Sequence, residues 1–283
     1  MNEHRGRPRP GRPSAGSTLI TSLQNERIKA IRALDMRKVR RETGLFVAEG
    51  TAILVSARDA GFVPETLLYE PVAGDNPVNR GLVADALRAG AEVLEVTPAV
   101  LGKVAAKDNP QAILGVFRQR WCEPPHPGRL DDRAVWLALE EVRDPGNLGT
   151  IIRTVDAVGA AGIILVGATC DPYSREAGRA SMGSVFAVPL ARLDAAGFLA
   201  VVRQWPGDVV GLHLDAREDF RASPYRGPTL VVMGSEGPGL SAELTSACTR
   251  LVRIPMAGHL DSLNLAIATA LTLYEVRRPH VQL

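Results

Sequence analysis

The second half of the chain alternates short, almost uninterrupted apolar runs with segments of helical length. Five of these runs are predicted strands, and they are Val135–Leu139, Gly162–Val166, Val209–Leu212, Leu230–Met233 and Leu251–Ile254. Strands without polar alternation are buried on both faces, and in parallel sheets the intervening helices supply that cover. The pattern therefore predicts an α/β fold with a mostly parallel sheet, whose ligands lie beyond the carboxyl ends of its strands.

A smaller α/β unit is predicted ahead of this sheet. Leu45–Val55, Thr66–Glu70, Glu92–Val96 and Ala112–Phe117 have the pattern of alternating strands and helices. Residues 121–133 are rich in Pro and charge, which is typical of a linker between domains. We therefore expect a basic tail over residues 1–17, a first domain over 18–120, a linker over 121–133 and a second domain over 134–283.

Positive charge is concentrated at the start of a chain whose net charge is only +2. Residues 1–41 carry eleven Lys or Arg and three Asp or Glu, which leaves a net charge of −6 on the remainder. Residues 1–17 cannot bury enough apolar surface to fold alone, and are either an unstructured tail or a nucleic-acid-binding arm. The stretch from Asn25 to Arg41 is predicted as one amphipathic helix whose exposed basic face includes Arg40. This asymmetry suits contact with nucleic acid or an anionic membrane.

Cysteine usage and hydropathy indicate the cellular compartment in which the protein is expected. Cys122, Cys170 and Cys248 are far apart and form no C-x-x-C pair, which argues against a disulfide framework or a structural zinc site. The first residues lack the apolar core of a signal peptide, and the longest apolar stretch, Gly159 to Ala168, is too short to span a bilayer. We therefore expect a cytoplasmic protein with no membrane partner.

The loops that follow three of the predicted strands carry the polar residues of interest. The first runs from Glu140 to Thr150 into a predicted helix over Ile151–Val158. Within the first loop, Asn147 is a good N-cap candidate, and Arg153 follows inside the helix. Local features alone are compatible with a capping role for Asn147 and a surface role for Arg153.

The other two loops are equally ambiguous when each is taken alone. Gly234–Gly239 holds three glycines and precedes a helix that starts at Ser241, but it matches neither a dinucleotide fingerprint nor a Walker A loop. The third loop, from Pro255 to Asn264, leads into a helix over Leu265–Val276, whose start Ser262 or Asn264 could cap.

Taken in order, three stretches identify a family. DPGNLGTIIRT, VMGSEGPGLS and IPMAGHLDSLNLAIATALTLYE resemble the three sequence motifs of the SpoU/TrmH family of RNA ribose 2′-O-methyltransferases. With SMGSVFAVP, the resemblance spans about residues 135 to 277. SLQNERIK and FVAEG resemble the small substrate-binding domain often fused ahead of it. The resemblance implies an N-terminal α/β RNA-binding domain and a C-terminal SPOUT-type α/β domain with a deep trefoil knot.

The same resemblance implies the cofactor and the assembly. In relatives the knot forms the S-adenosylmethionine pocket, and two protomers pair to complete the active sites. By position, the residues expected around the cofactor are Gly234, Ile254, Met256 and Leu263. The sulfonium methyl is already activated by its positive charge, so no metal is required. We expect S-adenosylmethionine as the cofactor, RNA as the partner and a homodimer.

The polar active-site residues implied by the family are Asn147, Arg153, Glu236, Ser262 and Asn264. An arginine side chain is essentially always protonated, so Arg153 suits clamping an RNA phosphate better than acting as a base. Glu236 and Asn147 would orient Arg153 and the ribose. Ser262 and Asn264 would shape the loop between cofactor and RNA.

Two positions depart from the family pattern, and the substrate has alternatives. Ser235 stands where many relatives carry Asn, and Ala266 where many carry Ser, which blurs the subfamily but removes no proposed catalytic group. A separate first domain favours 23S ribosomal RNA, including an antibiotic-resistance role. The alternatives are a tRNA 2′-O-methyltransferase, or a catalytically silent RNA-binding or assembly protein on the same fold.

Overall fold

The computed structural model describes residues 19–105, 111–222 and 224–281. The predicted tail over residues 1–17 lies outside them. Across these ranges, no helix combines the length and the apolar character that a membrane crossing demands.

The described residues between 19 and 118 build a four-stranded mixed sheet in the order β1-β4-β2-β3. Its strands are β1 (Leu45–Glu49), β2 (Thr66–Tyr69), β3 (Glu92–Glu95) and β4 (Ile113–Arg118). The helices are α1 (Glu26–Ala33), α2 (Arg37–Thr43), α3 (Thr51–Asp59), α4 (Pro77–Arg88) and α5 (Pro98–Ala105), with a 3₁₀ turn at Pro71–Asp75. β4 is antiparallel to both neighbours, whereas β2 and β3 are parallel. The predicted small α/β unit is thus present.

The single helix predicted from Asn25 to Arg41 is wrong, because the chain breaks between α1 and α2. Arg40 Nη1 donates hydrogen bonds to the carbonyl oxygens of Leu34 (2.8 Å) and Asp35 (2.9 Å), which stabilises the break. Arg40 was expected on an exposed basic face, yet it is only 5% exposed and its Nε donates to Asp171 Oδ2 at 2.7 Å. A partner distant in sequence therefore decides the local geometry.

The second sheet has seven strands in the order β7-β6-β5-β10-β8-β11-β9, and every neighbouring pair is parallel. Its strands are β5 (Val135–Glu140), β6 (Gly162–Val166), β7 (Leu190–Leu193), β8 (Val209–Leu212), β9 (Glu218–Asp219), β10 (Thr229–Met233) and β11 (Arg250–Arg253). The five predicted strands are confirmed, with bounds shifted by one residue at most. The two edge strands, β7 and β9, escaped prediction because they are short and carry polar residues.

Helices cover both faces of this parallel sheet. They are α6 (Pro145–Ala157), α7 (Arg175–Ala180), α8 (Ala195–Val202), α9 (Ala242–Ala247) and α10 (Leu265–Arg277), with 3₁₀ turns at Pro127–Arg129 and Ser184–Phe186. Along β5, Val135, Leu137 and Leu139 join the core that includes α6 and α10, whereas Trp136 and Ala138 join the core that includes α8 and α9. Because all strands are parallel, the loops after β5, β10 and β11 leave the same edge.

The core that includes α6 and α10 also includes residues of the first sheet, so the two sheets are joined by one hydrophobic core. Rings of the first sheet and its helices contact rings of the second, with centroid distances of 5.0 Å for Phe117–Phe186, 4.9 Å for Phe62–Phe186 and 4.7 Å for Phe46–Tyr173. The backbone N–H of Cys122 donates to the carbonyl of Leu190 at 2.9 Å, so the connection between the sheets covers the edge strand β7.

We expect Phe186→Leu to lower the free energy of unfolding by about 1–2 kcal/mol, because it removes ring contacts to Phe62 and Phe117 and leaves unfilled volume. Unfolding in urea should remain one transition, since both sheets contribute to the shared core. Leu214→Ala, at a side chain that is 61% exposed, is the matched control and should change stability little. Two separated transitions, only one of them shifted, would contradict the shared core.

Candidate active site

Helix α6 begins six residues earlier than predicted, and a different residue caps it. Asp144 has an extended backbone (φ −86°, ψ 117°), and its Oδ1 accepts a hydrogen bond from the backbone N–H of Asn147 at 2.6 Å. Pro145 follows at the first helical position, where its fixed φ suits a helix start. The expectation that Asn147 caps the helix is therefore wrong, and its side chain is left to contact other loops.

A chain of side-chain hydrogen bonds joins the three loops that follow β5, β10 and β11. Asn264 Nδ2 donates to Asn147 Oδ1 at 3.0 Å, and Asn147 Nδ2 donates to Glu236 Oε1 at 3.0 Å. The second carboxylate oxygen of Glu236 accepts from the backbone N–H of Arg143 at 3.1 Å. The structure thus brings together Asn147, Glu236 and Asn264 at the carboxyl edge of the sheet.

The donor-to-acceptor direction of these hydrogen bonds is fixed at both ends of the series. Asn264 Oδ1 caps α10 by accepting from the backbone N–H groups of Ala266 (2.9 Å) and Ile267 (3.3 Å), so only its NH₂ group can face Asn147. An ionised Glu236 only accepts, so Asn147 must present its own NH₂ group to Glu236. Each amide therefore has one orientation that satisfies every partner.

Glu236 is held ionised by its neighbours. Partial burial raises the pKa of Glu236, but hydrogen bonds from the Asn147 side chain and from the Arg143 backbone outweigh burial and leave the pKa below its ordinary value. A carboxylate with a depressed pKa contributes stability above its unfolded pKa, and this contribution is lost as the pH falls through the folded pKa. The network is therefore complete at neutral pH.

The glycine-rich loop after β10 closes tightly upon itself. Ser235 and Gly239 exchange backbone hydrogen bonds of 3.2 and 3.1 Å, and Ser241 N–H donates to Glu140 Oε2 at 2.8 Å. A Cβ at Gly234 would lie 2.0 Å from the carbonyl carbon of Gly239, so no side chain fits there. The need for glycine at position 234 comes from closure of the loop.

The remaining residues predicted for the site have simpler surroundings. Ile254, Met256 and Leu263 are half-buried around the loop between β11 and α10. Arg153 is exposed on α6 and Ser262 is exposed ahead of α10, and within the described residues neither side chain makes a hydrogen bond or ion pair. Among the described residues, no hydrogen bond connects Arg153 or Ser262 to the hydrogen-bonded side chains of Asn264, Asn147 and Glu236.

Sequence reasoning missed three groups that support the site. Glu140 anchors the glycine-rich loop, and Arg143 contributes only its backbone N–H, which no residue-type signal reveals. The backbone N–H of Cys170 donates to the Val142 carbonyl at 2.7 Å, beside the loop that holds Asn147. Burial, with the nearby charges of Glu236 and Asp144, raises the pKa of Cys170 to about 12, so this thiol stays protonated.

Comparison with known proteins covers both parts of the chain. The model of the SpoU rRNA Methylase family matches residues 134–274, and the model of the MRM3-like substrate binding domain matches residues 25–115. The crystal structure of an AdoMet-bound rRNA methyltransferase from Sinorhizobium meliloti is 44% identical, with a TM-score of 0.87, over 94% of this chain and 99% of that one. The chain belongs to the SpoU methyltransferase family. It is an RNA methyltransferase, and S-adenosylmethionine is its cofactor.

Two further relatives match over nearly their whole length. One is the 23S rRNA (guanosine(2553)-2′-O)-methyltransferase RlmP of Bacillus subtilis, 27% identical over 91% of this chain and 98% of the relative. The other is the 23S rRNA (uridine(2479)-2′-O)-methyltransferase of Streptomyces viridochromogenes, 29% identical over 96% of each chain. The family predicted from the three motifs is confirmed.

The chemistry of the site fits S-adenosylmethionine. The half-buried side chains Ile254, Met256 and Leu263 offer apolar contact to an adenine, and the adjacent loops offer backbone groups. The ionised carboxylate of Glu236 suits a cationic sulfonium and disfavours a phosphate ligand.

Proposed function

We propose that this SpoU methyltransferase methylates a ribose 2′-hydroxyl in 23S ribosomal RNA. The observation that carries the proposal is the hydrogen-bond chain Asn264–Asn147–Glu236, which links all three motif loops at one sheet edge. The relatives from B. subtilis and S. viridochromogenes are named for 2′-O-methylation of 23S rRNA, one at a guanosine and one at a uridine. Both of these substrates contain a ribose but differ in their base, so the proposal specifies the ribose hydroxyl and leaves the base open.

Catalysis requires alignment of the ribose hydroxyl with the methyl group and loss of the hydroxyl proton. When bound, S-adenosylmethionine supplies a methyl group activated by the sulfonium charge. In this proposal Arg153 binds the RNA phosphate beside the target ribose through a permanently charged guanidinium. Glu236 and Asn147, fixed by their mutual hydrogen bond, orient the ribose, while Ser262 and Asn264 shape the loop between cofactor and RNA.

The cofactor pocket in this proposal is lined by Gly234, Ile254, Met256 and Leu263. The loop containing the last three leads from β11, near one edge of the sheet, to α10, which packs against α6 and β10. This return path supports a trefoil knot formed by the C-terminal segment. We assign residues 18–120 to the RNA-binding domain, 121–133 to the linker and 134–283 to the catalytic domain, in a cytoplasmic enzyme.

An exposed apolar stripe on α10 supports a homodimer. Ile267, Leu271 and Tyr274 share one face of the helix at spacings of four and three residues, and they are 51%, 42% and 49% exposed. The opposite face of α10 is buried in the core through residues such as Leu273 and Val276. A helix that is apolar on both faces needs a second surface to cover it, and a second copy of the chain supplies one.

Leu271→Glu should shift the protein from dimer to monomer in sedimentation velocity, with the dissociation constant raised on the order of 100-fold, because a charge would be buried in the interface. Leu214→Glu, at another exposed leucine, should leave the sedimentation coefficient unchanged. A monomeric wild-type protein at the same concentration would refute the dimer.

The proposed function is tested with in vitro transcribed 23S rRNA and S-adenosylmethionine labelled in its methyl group. We expect label in the RNA, and nuclease digestion should recover it as 2′-O-methylated nucleoside. Incorporation into transfer RNA instead would establish the alternative substrate. Label on a base would contradict the ribose assignment.

A further inference from the structure

Three exposed arginines converge where the first sheet meets the second. Arg37 and Arg41 lie one turn apart on α2, and Arg192 lies near the carboxyl end of the edge strand β7. Arg37 Nη2 donates to the carbonyl oxygen of Thr169 at 2.7 Å, which fixes α2 against the loop of residues 169–173. Both parts of the chain thus contribute positive charge to one surface.

Arg192 is held in place by an aromatic ring. Its guanidinium carbon lies 4.0 Å from the ring centroid of Trp121, and the Trp121 ring meets Tyr173 edge-on at 5.2 Å. The backbone N–H of Tyr173 donates to Asp171 Oδ1 at 2.9 Å. A guanidinium stacked on an aromatic face keeps its edge N–H groups free for a ligand.

The three arginines of this cluster, Arg37, Arg41 and Arg192, form no salt bridge in the part of the chain that the structure describes. The charge of Asp171 acts on Arg192, but the Asp171 carboxylate is bound by Arg40 at 2.7 Å. Like charges one helical turn apart repel, and none of the salt bridges among the described residues offsets this repulsion at Arg37 or Arg41. Partial burial lowers the pKa of Arg192. The charge of Asp171 opposes this shift, whereas the like charges of Arg37 and Arg41 add to it, and the pKa remains below its ordinary value.

The cluster adjoins the candidate active site. Thr169, the partner of Arg37, precedes Cys170, whose N–H donates to the Val142 carbonyl in the loop that leads to Asn147. β5 and β7 are parallel members of one sheet, so Arg192 and Asn147 both lie toward the carboxyl edge. A polyanion that reaches the site from α2 would pass over these arginines.

We propose that Arg37, Arg41 and Arg192 form a phosphate-binding seam that holds the RNA backbone between the N-terminal domain and the catalytic sheet. The proposal rests on the proposed function, in that the polyanion is the RNA substrate. Guanidinium groups match phosphate oxygens with paired N–H donors, and RNA phosphates would supply the counter-charge that no salt bridge among the described residues provides.

The test measures RNA affinity of the full chain without S-adenosylmethionine, using filter binding to in vitro transcribed 23S rRNA. The variants are Arg41→Gln, Arg192→Gln and their combination; Arg37 is left intact because it also bonds Thr169. Arg192→Lys keeps the charge but loses the planar stack on Trp121. Arg217→Gln, at an exposed arginine beside the opposite edge strand β9, is the matched control.

Each single glutamine variant should weaken binding about fivefold, and the double variant on the order of 20-fold. The slope of log K against log salt, measured from about 50 to about 200 mM KCl, should shrink by about 0.7–0.9 for each lost contact. Arg192→Lys should lie between wild type and Arg192→Gln, and Arg217→Gln should match wild type. Melting temperatures should agree across all variants.

A double variant whose affinity and salt slope stay within about twofold of wild type would overturn the seam, as would an equal loss in Arg217→Gln. Methyl transfer by the wild-type protein tests the proposed function separately from the seam. If the variants lose affinity but the wild type transfers no methyl group to the RNA, the seam stands and the methylation assignment fails. If methyl transfer occurs and the variants bind RNA normally, the methylation assignment stands and the seam fails.

Discussion

Arg153→Ala should abolish methyl transfer to RNA while binding of S-adenosylmethionine survives. The Arg153 side chain is exposed on α6 and makes no ion pair within the described residues, so its removal leaves no buried charge behind. Its proposed partner is an RNA phosphate beside the target ribose, and loss of such a preorganised charge lowers turnover on the order of 1,000-fold. Single-turnover transfer of labelled methyl measures the loss, and calorimetry measures cofactor binding.

Two further variants test whether the loss of turnover is specific to the Arg153 guanidinium. Arg153→Lys keeps the charge but not the planar pair of donors, so it should retain part of the activity. Arg203→Ala removes another exposed arginine, at the end of α8, and should leave turnover unchanged. Normal turnover in Arg153→Ala would remove Arg153 from the mechanism. Lost cofactor binding would place Arg153 in the cofactor pocket instead.

The parallel sheet could be predicted because each of its central strands is a continuous apolar run, buried on both faces. The edge strand β7 could not, since four residues that include the exposed Arg192 carry too little pattern. The break between α1 and α2 also escaped prediction. The basic periodicity continues through it, and the contact that fixes Arg40 comes from Asp171, 131 residues away.

The residues of the candidate site followed from motif order, but their contacts did not. Asn147 and Glu236 are 89 positions apart, and Asn147 and Asn264 are 117 apart, so local chemistry cannot show that their side chains meet. The N-cap was misplaced for a related reason. Both Asp144 and Asn147 are good caps, and the Pro after Asp144 decides between them because it suits the first helical position.

Glu236→Gln should lower both stability and methyl transfer, because it inverts one hydrogen bond in a chain of fixed direction. The new NH₂ group would face either the NH₂ group of Asn147 or the backbone N–H of Arg143, so two donors would meet in both orientations of the amide. Rotating the Asn147 amide moves the conflict to Asn264, whose oxygen is needed to cap α10. We expect the free energy of unfolding to fall by about 1–3 kcal/mol, the usual cost of an unsatisfied partner. Turnover should fall on the order of 100-fold.

Asn147→Asp should be equally harmful for the opposite reason, since two carboxylates would then face each other. Combining Glu236→Gln with Asn147→Asp restores every donor–acceptor pair. The glutamine amide at position 236 would donate to the carboxylate at position 147 and accept from the Arg143 N–H, and that carboxylate would still accept from Asn264. Urea unfolding of the four proteins should show a favourable coupling of about 1 kcal/mol or more in the double variant. If the two losses simply add, the hydrogen-bond direction contributes nothing and the charge of Glu236 alone matters.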